Sequence, residues 1–157
     1  MVRLRIAGGE IVPQIEVTYF DTILNLKEMI RDVLGMEIGR QTLVYDERVL
    51  LDNEEIRHCI FGQDSATVML CVAPLPEGTK IAVQLESSLK QGSMKTREMD
   101  SVADLRSKIK RRWGLRNCSI ALFHLDAQMN EDLPLSAYYV VDGSKIDVRV
   151  TFLEEGR

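Results

Sequence analysis

The sequence predicts a two-layer α+β fold made twice, each copy a mixed sheet over a single helix. Two observations lead there. The stretch Asp21-Thr22-Ile23-Leu24-Asn25-Leu26-Lys27-Glu28-Met29-Ile30 returns as Asp100-Ser101-Val102-Ala103-Asp104-Leu105-Arg106-Ser107-Lys108-Ile109, an offset of 79 residues between Asp21 and Asp100. The same offset carries Leu34-Gly35 to Trp113-Gly114, Leu43 to Leu122, Leu50 to Met129, Ile56 to Leu135 and Ile60-Phe61 to Tyr139-Val140. One period kept over so many apolar positions means two copies of one small domain. The second observation is the order of periodicities within a copy, with alternating stretches on either side of one helical stripe.

In the first copy Val2, Leu4 and Ile6 alternate as a half-buried strand should, Gly8-Gly9 marks a turn, and Ile15 and Val17 belong to the returning strand. Thr22 is placed to cap a helix, with Asn25 three residues on as its capping-box partner. Ile23, Leu26, Ile30 and Leu34 fall on one helical face, and Gly35 supplies a left-handed stop. Strands follow over residues 41–45 and 49–51, a helical turn or loop over 56–61, and a closing strand over 67–72. The second copy repeats the order. Ile81, Val83 and Leu85 alternate, Ser101 caps, Val102, Leu105, Ile109 and Trp113 form the stripe, Gly114 ends it, and residues 120–123 and 146–150 are strands. The predicted boundaries are residues 1–73, a connector over 74–78 stiffened by Pro74 and Pro76, and residues 79–153. The six residues 73–78 span at most roughly 20 Å, so the copies are expected to stay close.

Composition is that of a globular chain, with 45% hydrophobic and 28% charged residues, and no apolar run is long enough to span a membrane. Three cysteines (Cys59, Cys71 and Cys118), an odd number without metal-ligand spacing, fit a reducing compartment, cytoplasm or nucleus. The net charge of −4 conceals an asymmetry. Residues 1–76 hold twelve acidic against seven basic side chains, and residues 77–157 hold thirteen basic against twelve acidic. Much of the positive charge gathers at Arg106, Lys108, Lys110, Arg111, Arg112 and Arg116.

A helix of the form Asp-[Ser/Thr]-[Ile/Val]-x-x-Leu-[Lys/Arg]-x-x-Ile with a glycine behind it resembles ubiquitin. In the first copy the match includes Asp21-Thr22-Ile23, Lys27, Ile30, Gly35, Gln41, Leu43, Leu50 and Asp52, and in the second Ile109, Gly114, Leu122, Leu135-Ser136 and Tyr138. The resemblance covers nearly the whole chain and implies two tandem β-grasp, ubiquitin-like domains. Thr18-Tyr19-Phe20-Asp21-Thr22-Ile23 and Gln41-Thr42-Leu43 are most similar to divergent plant proteins with tandem ubiquitin-like domains, and the two-domain layout resembles interferon-induced ubiquitin-like modifiers.

The resemblance further implies recognition through the sheet face, because ubiquitin's receptors grip an exposed apolar patch on its third and last strands. The central patch residue maps to Val44, and its last-strand partners to Met69 and Cys71 if one residue is inserted in Ser65-Ala66-Thr67. That register sends Val68 and Leu70 to the core; without the insertion they face outward instead. Arg40, Asp46, Glu47 and Arg48 would ring the patch with charge. The bland alternative is partly covered edge-of-core residues. In the second copy the same positions are Phe123, Asp147 and Arg149, an aromatic among charges that serves either as an anchor for a different partner or as packing against its own domain. The lysines of ubiquitin's commonest chains correspond to Arg48 and Gln63, and Lys27 occupies a helix position that is buried and paired in the family.

Arg106 and Lys110, with Lys108, Arg111 and Arg112, are expected largely on the exposed side of the second helix, where they could hold an acidic protein segment or simply stay solvated. Nucleic acid is disfavoured by the near-zero charge of that copy and the lack of interleaved aromatics. His58 adjoins Cys59 and His124 follows a strand, but neither has the base and orienter that nucleophilic catalysis needs, so no enzymatic activity, metal or cofactor is expected. The carboxyl end, Thr151-Phe152-Leu153-Glu154-Glu155-Gly156-Arg157, lacks the diglycine of conjugated modifiers. The expectation is therefore a non-covalent adaptor whose protein partners are ubiquitin receptors or proteasome-associated proteins. A covalent modifier with a longer or processed tail, and a ubiquitin mimic competing for receptors, are the alternatives.

Overall fold

The computed structural model describes residues 1–153. The chain divides into two compact units, Met1–Pro74 and a second beginning at Leu75. Each is a β-grasp domain, a five-stranded mixed sheet with one long helix.

The first unit runs β1 (Val2–Ala7), β2 (Gln14–Val17), α1 (Ile23–Leu34), a 3-10 turn (Ile38–Arg40), β3 (Gln41–Tyr45), β4 (Arg48–Val49), a short α2 (Ile56–Cys59) and β5 (Ser65–Val72). The sheet order is β2-β1-β5-β3-β4, with β1 and β5 parallel at its centre. Val2, Leu4 and Ile6 of β1 and Ile23, Leu26 and Ile30 of α1 are all fully buried in the core of this unit. The helix starts where predicted. Thr22 Oγ1 accepts from the Asn25 N–H at 3.1 Å and Asn25 Oδ1 accepts from the Thr22 N–H at 2.9 Å, the reciprocal capping box. It stops at Gly35, whose φ of 76° places it in the left-handed region. Gln41 is buried at the start of β3, where Nε2 donates to the Lys27 and Met36 carbonyls at 3.0 Å each and so fixes the sheet to the helix.

The second unit repeats the plan with β6 (Ile81–Glu86), β7 (Gln91–Thr96), α3 (Val102–Trp113), β8 (Cys118–His124), β9 (Ala127–Gln128), a 3-10 turn (Leu135–Tyr138) and β10 (Lys145–Phe152). Its sheet order is β7-β6-β10-β8-β9, the same arrangement element for element. Ser101 and Asp104 form the second capping box, and Gly114 (φ 63°) the second stop. Residues 75–79 are held by this unit, with the Leu75 N–H donating to Glu98 Oε1 at 2.8 Å and the Thr79 hydroxyl to the Pro76 carbonyl at 2.6 Å.

The repeat extends to individual backbone hydrogen bonds. In the first copy the Ile23, Leu24, Ile56 and Arg57 N–H groups donate to the carbonyls of Glu54, Asp52, Asp21 and Tyr19. In the second the Val102, Ala103, Leu135 and Ser136 N–H groups donate to Leu133, Glu131, Asp100 and Glu98, each pair displaced by the same offset. Both strand hairpins after the helix turn on two residues of positive φ, Asp46-Glu47 (52° and 62°) and Leu125-Asp126 (49° and 64°).

Gly8 sits at φ 133°, and a β-carbon there would lie 2.3 Å from the Leu70 carbonyl oxygen. Gly8→Ala is accordingly expected to lower the stability of the first unit by about 2 kcal/mol or more. Gly92, where an added β-carbon meets nothing within 4 Å, is expected to accept alanine with little change. Amide hydrogen exchange in β1 and β6 under mild denaturant reads both outcomes.

Candidate protein-docking faces

Strand alternation in the first unit sends Leu43, Val68 and Leu70 to the core and turns Val44, Met69 and Cys71 outward. This is the register with one residue inserted before β5. Cross-strand pairing then assembles a row that the sequence does not display. Ala7 pairs with Met69, Met69 with Val44 and Val44 with Val49, so four apolar side chains line up across β1, β5, β3 and β4 on the outer face. Met69 is 48% and Val49 53% exposed, and Ala7 and Val44 are half-buried between their neighbours. Thr42 and Cys71 form the adjoining pair on one side, and Arg5 and Thr67 pair on the other. Ala7 and Val49 were missed in the sequence. Pairing across the two-residue Asp46-Glu47 turn is the signal that would have found Val49.

The charges near this row are not equally available. Arg48 Nη1 donates to Glu54 Oε1 at 2.9 Å, and the Leu51 N–H reaches the same oxygen at 2.8 Å. The Arg48 guanidinium, followed by the Leu51 N–H, holds the Glu54 carboxyl at about 2 instead of 4.5. Arg48 is thus committed to its own domain. Arg40 Nε donates to the Ala73 carbonyl at 2.8 Å. Asp46 and Glu47 are exposed at the hairpin tip beyond Val44 and Val49. Lys27 is buried, with Nζ 2.7 Å from Asp52 Oδ1, as the family position implied.

The equivalent row of the second unit reads Glu86, Asp147, Phe123 and Gln128. Phe123 is half-buried, and the Arg149 guanidinium lies over its ring at 3.8 Å from the centroid. Lys145 pairs with Glu86 at 3.3 Å. This face is charged, and its one aromatic is covered by its own domain.

On α3 the two basic side chains expected on the exposed side, Arg106 and Lys110, are partly engaged by their own domain. Both are half-buried: Arg106 pairs with Glu131, and Lys110 Nζ donates to the Cys118 carbonyl at 3.3 Å. Long flexible stems let both reach partners beyond the helix, Glu131 in a loop and Cys118 at the start of β8. Arg111 and Arg112 are the exposed residues of the last turn.

Among the described residues, Cys59 and the two histidines sit in different surroundings. Cys59 is buried with Sγ 3.5 Å from Glu54 Oε2, and burial, then the Glu54 carboxylate, push its thiol up and disfavour the thiolate. His58 is exposed beside it in sequence. His124 is buried, with Nδ1 3.0 Å from the Lys145 carbonyl. Residues 154–157, which include the single glycine of the carboxyl end, lie outside the described residues.

Residues 2–75 match the model of the Ubiquitin family, a match that falls on the first unit. No curated protein matches the chain. Among solved structures, the chain is similar to one described as the crystal structure of ATBAG1 in complex with HSP70, at 24% identity and a TM-score of 0.43. The similarity covers 48% of this chain and 42% of that one, so the chain spans less than half the length of this neighbour.

The Glu54 hub has a measurable signature. A carboxyl held below its unfolded value stabilises the fold above about pH 4.5, and that contribution is lost as pH falls towards 2. Carboxyl NMR is expected to place the Glu54 midpoint near 2 in the native chain and to move it up towards 4.5 in Arg48→Gln. The acid limb of unfolding in that variant flattens over the same interval.

Proposed function

We propose that this chain is a non-enzymatic interaction protein, an adaptor of two recognition modules at residues 1–73 and 79–153. The row Ala7, Met69, Val44 and Val49 carries the reading. It is a continuous apolar strip on an otherwise polar sheet face, where an apolar helix or strand of a partner can exclude water. The Ubiquitin family match over residues 2–75 supports ubiquitin receptors or proteasome-associated proteins as the partner class. The second module presents a charged sheet face at the same positions, so it would take a different partner. Two weak sites on one chain gain by effective concentration, which gives a physical reason for the tandem layout. Three free cysteines fit work in the cytoplasm or nucleus.

Titration with a ubiquitin-receptor helix, read by amide NMR on the full chain, tests this directly. The expected result is chemical-shift change confined to β3, β4, β5 and the end of β1. Met69→Asp, at an exposed position, and Val44→Asp are each expected to weaken binding roughly tenfold or more while the spectrum remains folded. Shift changes absent from those strands overturn the reading. A thioester formed with ubiquitin-activating enzyme and ATP would favour the covalent-modifier alternative.

A further inference from the structure

The second unit holds a feature that the sheet-face reading does not use. A depression of about 640 Å³ lies where the edge strand β7 meets α3, lined by Lys80, Ser93, Lys95, Lys108, Arg111 and Arg112 among others. None of its lining residues is acidic. Lys108 has a partner in Asp100 at 3.6 Å. Lys80, Lys95, Arg111 and Arg112 are exposed and make no ion pair among the described residues.

The fold does not require this charge. At the same offset the first unit carries Glu16 where the second has Lys95, and Asp32 where it has Arg111. Glu16 is moreover paired with Arg3 at 3.4 Å, whereas the residue opposite Lys95 is Ala82, which offers no counter-charge. Four unpaired cations around one hollow repel one another, and an anionic occupant relieves that repulsion.

The strand beside the hollow indicates what kind of anion fits. β7 ends the sheet order and pairs with β6 alone, so one side of its backbone is open to a further strand. Ser93 and Lys95 project from it at alternate positions, one on either side of Met94. The domain as a whole is close to neutral, with thirteen basic and twelve acidic residues over 77–157, which is a poor field for a long polyanion. We propose that this groove binds an extended acidic segment of a partner protein, its backbone running along β7 and its carboxylates reaching Lys95, Arg111, Arg112 and Lys80.

The probe is an Asp/Glu-rich peptide about as long as β7, titrated into the full chain at low ionic strength. Anisotropy gives affinity and amide NMR gives location. The expected result is saturable binding that weakens as salt rises, with shifts in residues 91–96 and in the last turn of α3. Lys95→Glu with Arg111→Asp, which copies the charges of the first unit, is expected to weaken binding roughly tenfold. Arg31→Glu with Arg57→Glu, a first-unit variant of equal charge change, is expected to leave it within about twofold. Should the first pair fail to fold, Lys95→Gln with Arg111→Gln and the native-chain shift map decide the matter. An unchanged affinity in the groove variants, or equal losses in both pairs, overturns the proposal. So does a single-stranded oligonucleotide that binds as tightly as the peptide while the β7 amides stay unmoved.

Discussion

The first turn of each helix is the constraint on which the rest of the fold depends. A helix begins with N–H groups that have no partner inside it, and a buried start must find them acceptors elsewhere. Here the loop after the fourth strand of each copy supplies them. The carbonyls of Glu54 and Asp52 take the Ile23 and Leu24 protons while Thr22 Oγ1 takes that of Asn25. The loop is held at the helix start, and it returns two bonds of its own through Ile56 and Arg57 to Asp21 and Tyr19. Asp52 and Glu54 then reach Lys27 and Arg48 from fixed positions. β4, and with it Val49, is held beside Val44 by the same closure. The outward apolar row therefore rests on rigid elements, not on a mobile loop.

Where a structural feature depends on local sequence, it could be read in advance. The helical stripe, the caps at Thr22 and Ser101 and the glycine stops each depend on residues a few positions apart, and all are where the pattern put them. The register of β5 was open between two choices. It is settled by pairing with β3 and β1, which buries Val68 and Leu70 and leaves Met69 beside Val44. That is long-range information, absent from the strand itself. Ala7 escaped for the same reason, since it reaches the row only through Met69. The partners of Arg106 and Lys110 were not legible because a helical wheel locates β-carbons, while the charged ends lie several bonds away and bend to Glu131 and the Cys118 carbonyl. Arg149 over Phe123 is likewise a cross-strand relation that no local pattern reveals.

The two copies show how much of such a domain is free to change. Core positions, caps and backbone bonds coincide, whereas the outer row passes from Ala7, Met69, Val44 and Val49 to Glu86, Asp147, Phe123 and Gln128. The edge strand changes from Glu16 to Lys95 and the helix from Asp32 to Arg111. Surface substitutions of this kind touch none of the interactions that close the helix start. One scaffold can thus present an apolar strip and a cationic hollow without altering its interior.

The turn between β3 and β4 bears on how a visitor would align. Asp46 and Glu47 both occupy the left-handed region, where non-glycine residues are strained by about 1 kcal/mol or more and Asn-Gly would sit at ease. What this costlier pair supplies is two exposed carboxylates at the strand ends that flank Val44 and Val49, beside the apolar strip and not at either of its ends. A visitor carrying a cation on that flank would be drawn to the tip, and one carrying an acid there would be held off it.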